Sequence, residues 1–270
     1  MIIGKAISPF ALRKKNGGGG GTDPDAQAFI TATGISGTNA TATNQLVIDL
    51  KAANIWTKMK GIYPMVGGTA TTCKFNLKDP RDLDAAYRLV FFGGGTFSSN
   101  GYLPNGTNAY ADTFINSLTN LTATSTHLSY YSRTATVGVA IEMGTNDNAT
   151  GQFYLSLRSA ANFIGGSTSV IVPFTSTTNA QGFWVGSKRS NSDREVYKNG
   201  ISETTSAISD TSAYVNCKIF IGAVSTLNTS RLYSNKECAF ASIGDGLTDA
   251  EVTAFRTAVQ TFNTTLGRNV

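Results

Sequence analysis

The feature that most constrains the fold is an Asn-Gly pair, Asn199-Gly200, between two short runs of strand-forming residues. A two-residue type I′ hairpin turn needs positive φ at both central positions, and Asn-Gly meets that need best. Residues 193–198 and the segment after Gly200 are therefore predicted to pair as a hairpin. Two more strand-like runs follow at residues 217–223 and 238–244. The last third of the chain is thus predicted to be antiparallel β-structure.

A helix is predicted over residues 249–265, after the last of these strands. Thr248 precedes it, and Glu251 follows three residues later, the spacing of a capping box. Apolar residues then recur on one helical face, which is predicted to pack on the sheet; they are Val252, Phe255, Val259 and Phe262.

Short apolar or alternating runs separated by Gly, Asn and Pro turns fill residues 61–246, a pattern typical of a β-sandwich or barrel. Strands are predicted at residues 87–92, 108–115, 128–133, 137–143, 152–157, 169–174 and 182–188. Pro24 and the apolar spacing from 46 to 55 predict helices within 25–60, with a break at 34–44. The fold class is therefore mainly β: a jelly-roll sandwich over 61–270, with N-terminal helices at 25–60 and one C-terminal helix.

Residues 1–24 are interpreted as a basic, Gly-rich assembly arm. Its basic residues precede the first acid and supply +4 of the net +5 charge; they are Lys5, Arg13, Lys14 and Lys15. The remaining chain has 18 basic and 17 acidic residues, a net of +1, so no basic domain face is predicted and nucleic acid is not an expected partner. Charged residues make up only 14% of the chain, which is typical of extracellular β-rich adhesins and virion proteins.

The cysteines and the single histidine limit redox and metal chemistry. Cys73, Cys217 and Cys238 form no Cys-x-x-Cys pair and are predicted to be buried free thiols, with a Cys217–Cys238 bridge as the alternative. His127 alone cannot build a zinc site, and it is interpreted as a structural hydrogen-bonding residue. No run of ~18 apolar residues predicts a membrane span, and the N-terminus lacks the pattern of a signal peptide.

The surface residues that could hold a sugar lie around a Pro104-Asn105-Gly106 turn. Glycan binding needs an aromatic platform beside amide and carboxylate groups, and Tyr102, Asn105 and Tyr110 could supply it. Trp184 alternates with Phe183 along a predicted strand, so one of the two faces away from the sandwich core unless a second layer covers it. Ordinary strand packing is the alternative for these aromatic residues.

The end of the chain, from Asp193 to Val252, resembles the C-terminal half of a concanavalin A-like, laminin-G-type jelly-roll domain. Several stretches also resemble a module of virion proteins from tailed phages that infect Bacteroidetes, crAss-like phages among them. They are Asp25-Ala26-Gln27-Ala28-Phe29-Ile30 through Leu77-Lys78-Asp79-Pro80-Arg81-Asp82-Leu83-Asp84, then Pro104-Asn105-Gly106-Thr107-Asn108-Ala109-Tyr110-Ala111-Asp112-Thr113, and Tyr233-Ser234-Asn235-Lys236 through Gly244-Asp245-Gly246-Leu247 to Leu266-Gly267-Arg268. The resemblance covers about residues 25–270.

This resemblance implies a virion structural protein: a capsid decoration, head fibre or tail appendage, assembled in the host cytoplasm. The arm would dock on capsid or tail subunits, a homo-oligomer is expected, and the sandwich would be displayed. The alternative is a receptor-binding lectin module that binds glycans of the host cell surface.

The resemblance transfers no catalytic residue, and no enzymatic activity is expected. Jelly-roll glycoside hydrolases carry Glu-x-Asp-x-x-Glu, and none of the five glutamates here has Asp two residues later. Laminin-G-type domains can bind calcium, and Asn146-Asp147-Asn148 offers oxygen ligands with Asp147 as the one carboxylate. A plain turn is the favoured interpretation of that segment, and no other cofactor is expected.

Overall fold

The computed structural model describes residues 21–147, 151–157, 160–167, 174–176 and 178–270. The predicted arm residues Lys5, Arg13, Lys14 and Lys15 lie outside these ranges, as do Asn148 and most of the predicted strand at 169–174. No helix in the described part of the chain is long and apolar enough to cross a membrane.

Two longer helices precede the β-structure and one follows it. In chain order the helices are α1 (Pro24–Thr33), α2 (Gly37–Ala52), the one-turn α3 (Ala70–Cys73) and α4 (Ser117–Asn120), and α5 (Asp249–Thr265). The Thr248–Glu251 capping box is present at α5, as predicted. The predicted break at 34–44 is wrong. Gly34 ends α1 with a φ of 69°, but α2 begins at Gly37 because its first turns bury Ala42 and Thr43.

Seventeen strands lie in the described residues: β1 (Met59–Tyr63), β2 (Val90–Phe92), β3 (Thr96–Ser98), β4 (Gly101–Leu103), β5 (Tyr110–Asn116), β6 (Thr126–Ser132), β7 (Met143–Asn146), β8 (Gly151–Ser156), β9 (Ala160–Ser167), β10 (Phe174–Ser176), β11 (Gly182–Ser190), β12 (Asp193–Lys198), β13 (Ile201–Ser206), β14 (Lys218–Ile221), β15 (Val224–Thr226), β16 (Thr229–Arg231) and β17 (Cys238–Gly244). Asn199 and Gly200 have φ of 51° and 77°, so the predicted hairpin turn between β12 and β13 is confirmed.

The strands form two sheets. The first sheet has the order β13-β12-β11-β6-β17-β4-β3, with β1 also paired to β17. The second sheet has the order β10-β9-β8-β7-β14-β5-β2, with β15 and β16 attached beside β7. The pairs are antiparallel except for β15 and β7. The predicted mainly-β sandwich class is therefore confirmed.

In the described part of the chain, the two larger apolar cores separate three layers. Between the sheets lie side chains of both, among them Leu128, Tyr130, Trp184, Phe153 and Ile219. The opposite side of the first sheet contacts the helices, and this second core includes Phe29, Leu46, Phe183, Phe240, Phe255 and Phe262. The first sheet is consequently covered on both sides, which is why every residue of β6 and β17 is buried.

Several local predictions were wrong. Residues 137–142 are not a strand, because the Ile141 N–H donates to Leu232 O and the Ala140 carbonyl accepts from the Ser156 hydroxyl. The strand at 87–92 covers only its last three residues, because Tyr87 has a φ of 61°. The one-turn helices α3 and α4 lie inside the region predicted to hold strands alone.

The cysteine prediction is confirmed. Cys73, Cys217 and Cys238 are free and buried. Cys217 precedes β14 of the second sheet and Cys238 begins β17 of the first sheet, so the alternative of a bridge between neighbouring strands is wrong.

Candidate ligand-binding face

Four aromatic side chains gather at the outer side of the second sheet and are called the aromatic face: Phe92, Tyr110, Phe220 and Tyr233. Strand alternation explains the first three. Phe91, Ala111 and the two neighbours of Phe220 on β14 point into the core between the sheets, so the alternate residues point outward. Tyr233 comes from the segment after β16, and its ring lies near that of Tyr110.

Tyr110 lies at the centre of the aromatic face, and its ring is near each of the other three rings. Phe92 and Tyr110 are 4.9 Å apart between centroids with an interplanar angle of 16°. Tyr110 lies 4.7 Å from Phe220 and 6.4 Å from Tyr233. Phe220 is buried, Tyr110 and Tyr233 are half-buried, and Phe92 is 43% exposed. Phe92 is therefore an exposed ring that is held in place by stacking on Tyr110.

A charged pair adjoins these rings. Asp112 lies two residues after Tyr110 on β5 and is the register partner of Phe220. Its Oδ2 accepts a hydrogen bond from Lys218 Nζ at 2.9 Å, and its Oδ1 accepts one from Phe114 N at 2.8 Å. The Lys218 ammonium also lies 4.4 Å from the centre of the Phe114 ring. Lys218 is 38% exposed against 9% for Asp112, so its ammonium is the part of the pair that solvent reaches.

The turn that contains Asn105 positions the start of β5. Asn105 Oδ1 accepts hydrogen bonds from the backbone N–H groups of Thr107, Asn108 and Ala109, each at 3.0 Å. Its amide nitrogen donates to Gly93 O and to Asn108 Oδ1, both at 2.8 Å. Both amide N–H groups are therefore already used inside the loop, and Asn105 orients the chain leading into Tyr110. Its predicted glycan contact stays a prediction.

Two of the four predicted glycan contacts are wrong because their side chains are fully buried. Tyr102 lies against Phe91 and Phe97, with ring centroids 4.9 and 5.1 Å away. Trp184 is in the core between the sheets, and its Nε1 donates to Ala180 O at 3.0 Å. Both are 0% exposed, and neither can meet a ligand in solvent. Phe183 is buried too, because the helices supply the second layer.

Asp147 comes directly after β7. Its Oδ1 accepts from Gly151 N at 3.0 Å, and its own N–H donates to Gly151 O at 3.1 Å. It borders a cavity of about 550 Å³ that Tyr214, Asn216 and Leu227 also line. Within the described residues no three His, Cys, Asp or Glu side chains are grouped to hold a metal ion. Calcium binding at Asp147, the alternative to a plain turn, stays an untested hypothesis.

Sequence reasoning placed Tyr110 on this surface and missed Phe92, Phe220 and Tyr233. The alternation from Lys218 to Ile221 could have shown that Phe220 points away from Ile219 and Ile221. Nothing local in the sequence brings Tyr233 to Tyr110, since they come from segments far apart along the chain.

No protein-family model matches the chain, and no curated protein matches it in sequence. Solved structures do match in fold. One is domain 4 of an extracellular GH43 arabinanase from Geobacillus stearothermophilus in complex with arabinotriose, with a TM-score of 0.51, 14% identity, and coverage of 73% of this chain and 98% of that one.

A second match is a botulinum neurotoxin type C chain that interacts with two ganglioside molecules. It has a TM-score of 0.56 and 10% identity, and the match covers 77% of this chain and 53% of the toxin chain. At such low identity these similarities concern the fold alone. With the strand order above they establish a jelly-roll β-sandwich flanked by N-terminal helices and one C-terminal helix.

Proposed function

We propose that this chain is a glycan-binding display domain whose aromatic face holds a sugar on the outer side of the second sheet. The observation that carries the proposal is the exposed Phe92 ring, stacked on Tyr110 with 4.9 Å between centroids, and the Lys218–Asp112 pair, whose Asp112 lies two residues after Tyr110 on β5. The helices already cover the outer side of the first sheet, which leaves the second sheet as the side available to a ligand.

The chemistry of the face suits a sugar. One side of a sugar ring presents C–H groups, which pack on the face of an aromatic ring, and the ring hydroxyls need hydrogen-bond partners at the edge. Phe92 would supply the stacking surface. An ammonium group has three N–H donors, and Asp112 accepts one from Lys218. Lys218 would donate to a sugar hydroxyl, and the Tyr110 hydroxyl would add a second polar contact.

The test is retention of the purified protein on a printed array of neutral and sialylated oligosaccharides. Phe92→Ala and Tyr110→Ala should each lower the retained signal roughly tenfold, because they remove the stacking surface. Ile201→Ala is the matched control, since Ile201 is 69% exposed on β13 of the other sheet. Equal signals for all four proteins, or no retention of the wild type on any glycan, would contradict the proposal.

We further propose that the domain is displayed on a phage virion, as a capsid decoration, head fibre or tail appendage. Support comes from the sequence resemblance and from the basic, Gly-rich arm. The absence of Glu-x-Asp-x-x-Glu supports binding without hydrolysis. Detection of the chain in purified particles by mass spectrometry would support the virion role, and release of reducing ends from host polysaccharide would contradict the non-enzymatic one.

A further inference from the structure

A fully buried ion pair joins the residue before β7 to the chain segment that carries Tyr233 of the aromatic face. Lys236 Nζ is 2.9 Å from Glu142 Oε1, and both side chains are 0% exposed. Glu142 directly precedes β7, and Lys236 belongs to the segment 232–237 between β16 and β17. That segment contains Tyr233.

The Glu142 carboxylate holds this segment at more than one point. Its Oε1 also accepts from the Ser234 hydroxyl at 3.0 Å, and its Oε2 accepts from Leu157 N. The Ser234 hydroxyl accepts in turn from Lys236 N at 3.1 Å. Ser234 and Lys236, which follow Tyr233 by one and three positions, thus both bind the Glu142 carboxylate.

Backbone hydrogen bonds extend the connection to the other rings. Ser234 N donates to Gly222 O at 2.8 Å, one residue beyond the strand that carries Phe220. Gly106 N donates to Ser234 O at 3.0 Å, within the turn that leads into Tyr110. A change at the Glu142 carboxylate would therefore reach the supports of Tyr233, Phe220 and Tyr110 together.

A buried ion pair contributes more to the orientation of the residues it joins than to the free energy of unfolding. Taking two charges out of water is costly, and a well-packed neutral pair of similar volume often folds equally well. Charge-assisted hydrogen bonds, by contrast, are short and directional, so they restrain geometry more tightly than neutral ones. We propose that Glu142 and Lys236 are positioning residues that fix the aromatic face in its ligand-binding arrangement. This inference rests on the proposed glycan-binding function.

The test is the double variant Glu142→Gln with Lys236→Met, which keeps the side-chain volumes and an acceptor for Leu157 N. We expect melting within a few degrees of wild type, faster hydrogen exchange at the Ser234 and Gly106 amides, and roughly tenfold lower retention on the oligosaccharide array. The matched control neutralises a second buried pair, Arg194 and Asp210, whose side chains are 0% and 1% exposed. Arg194→Met with Asp210→Asn should retain glycans as wild type does.

The outcomes can be told apart. If the wild type retains no glycan, the proposed function fails, and amide exchange still tests whether the pair restrains the segment. If the Glu142–Lys236 variant keeps wild-type retention and wild-type exchange, the positioning role is overturned. Should that variant not fold, Ser234→Ala removes one hydroxyl from the same network. It must then speed exchange at Gly106 and lower retention, or the inference is wrong.

Discussion

At the scale of single residues, the one histidine shows how burial fixes a protonation state. His127 is fully buried, with Nδ1 2.7 Å from Asp245 O and Nε2 2.9 Å from Ser242 Oγ. Burial lowers the pKa of its imidazole from 6.5 to about 4, while the nearby Lys58 lowers it and Glu251 raises it. The neutral ring therefore joins β6 to β17 as a structural residue, the role that the sequence predicted.

This lowered pKa makes stability depend on pH in a defined direction. Because the pKa of His127 is lower in the folded chain than in the unfolded chain, the unfolded chain gains the proton first. The contribution of His127 to the free energy of unfolding is complete above pH 6.5 and is lost as the pH falls towards 4. Over that range the free energy of unfolding changes by at most about 1.4 kcal/mol per pH unit through this group. The free energy of unfolding, measured with urea at pH 7, 5.5 and 4, should fall with decreasing pH in the wild type and should fall less steeply in His127→Gln. Identical slopes would rule out His127 as the source.

At the scale of elements, the sequence predicted best where a local rule decides the structure. The Asn199-Gly200 turn and the Thr248–Glu251 box depend on residues within four positions of each other, and both were found where predicted. The early start of α2 at Gly37 and the loop at 137–142 depend on burial and on bonds to distant segments, which no local pattern contains. The glycan candidate Trp184 failed for the same reason, because the side of β11 that faces the second sheet is decided by tertiary packing, and Trp184 lies on that side.

The start of α5 gives a direct test of one such local rule. The Thr248 hydroxyl accepts from Glu251 N, and the Glu251 carboxylate accepts from Thr248 N and pairs with Lys58 at 2.7 Å. Thr248→Ala should lower the free energy of unfolding by about 1 kcal/mol, because a backbone N–H at the helix start loses its acceptor. Thr253→Ala, at an exposed position inside the same helix, is the control and should change it by less than roughly 0.5 kcal/mol. Equal effects in chemical denaturation would mean that the box contributes nothing.

At the scale of the whole molecule, hydrogen bonds of Asp23 connect the start of α1 to α2. Asp23 caps α1, its N–H donates to Asn44 Oδ1 at 2.8 Å, and its carboxylate accepts from Lys51 Nζ at 2.7 Å. These bonds need none of the first 22 residues. The arm can therefore be proposed as a tether whose loss leaves the domain intact.

Deleting residues 1–22 should leave the Tm within roughly 4 °C of the full chain, the shift that about 1 kcal/mol produces in a domain of this size. Incorporation into phage particles, measured by quantitative mass spectrometry, should be lost. Replacing Arg13, Lys14 and Lys15 by Glu keeps the length and is the matched variant that tests the charge alone. Normal copy number in particles for the truncated chain would exclude a tether function, and unfolding would place the arm in the core.

The position of β17 has a consequence for how the chain reaches its native state. This strand pairs with β1, β4 and β6, and Tyr63 of β1 meets Ala241 of β17 across most of the domain sequence. A contact between residues so far apart in sequence closes a large loop, and the entropy lost in closing it opposes folding before the contact is formed. Such contacts therefore slow folding. Arg268 adds to this, because its guanidinium donates to the carbonyl oxygens of Pro64, Met65 and Ala239. Each sheet takes strands from both the N-terminal and the C-terminal half of the chain, so the domain is expected to fold slowly, as one cooperative unit, and not from separately expressed halves.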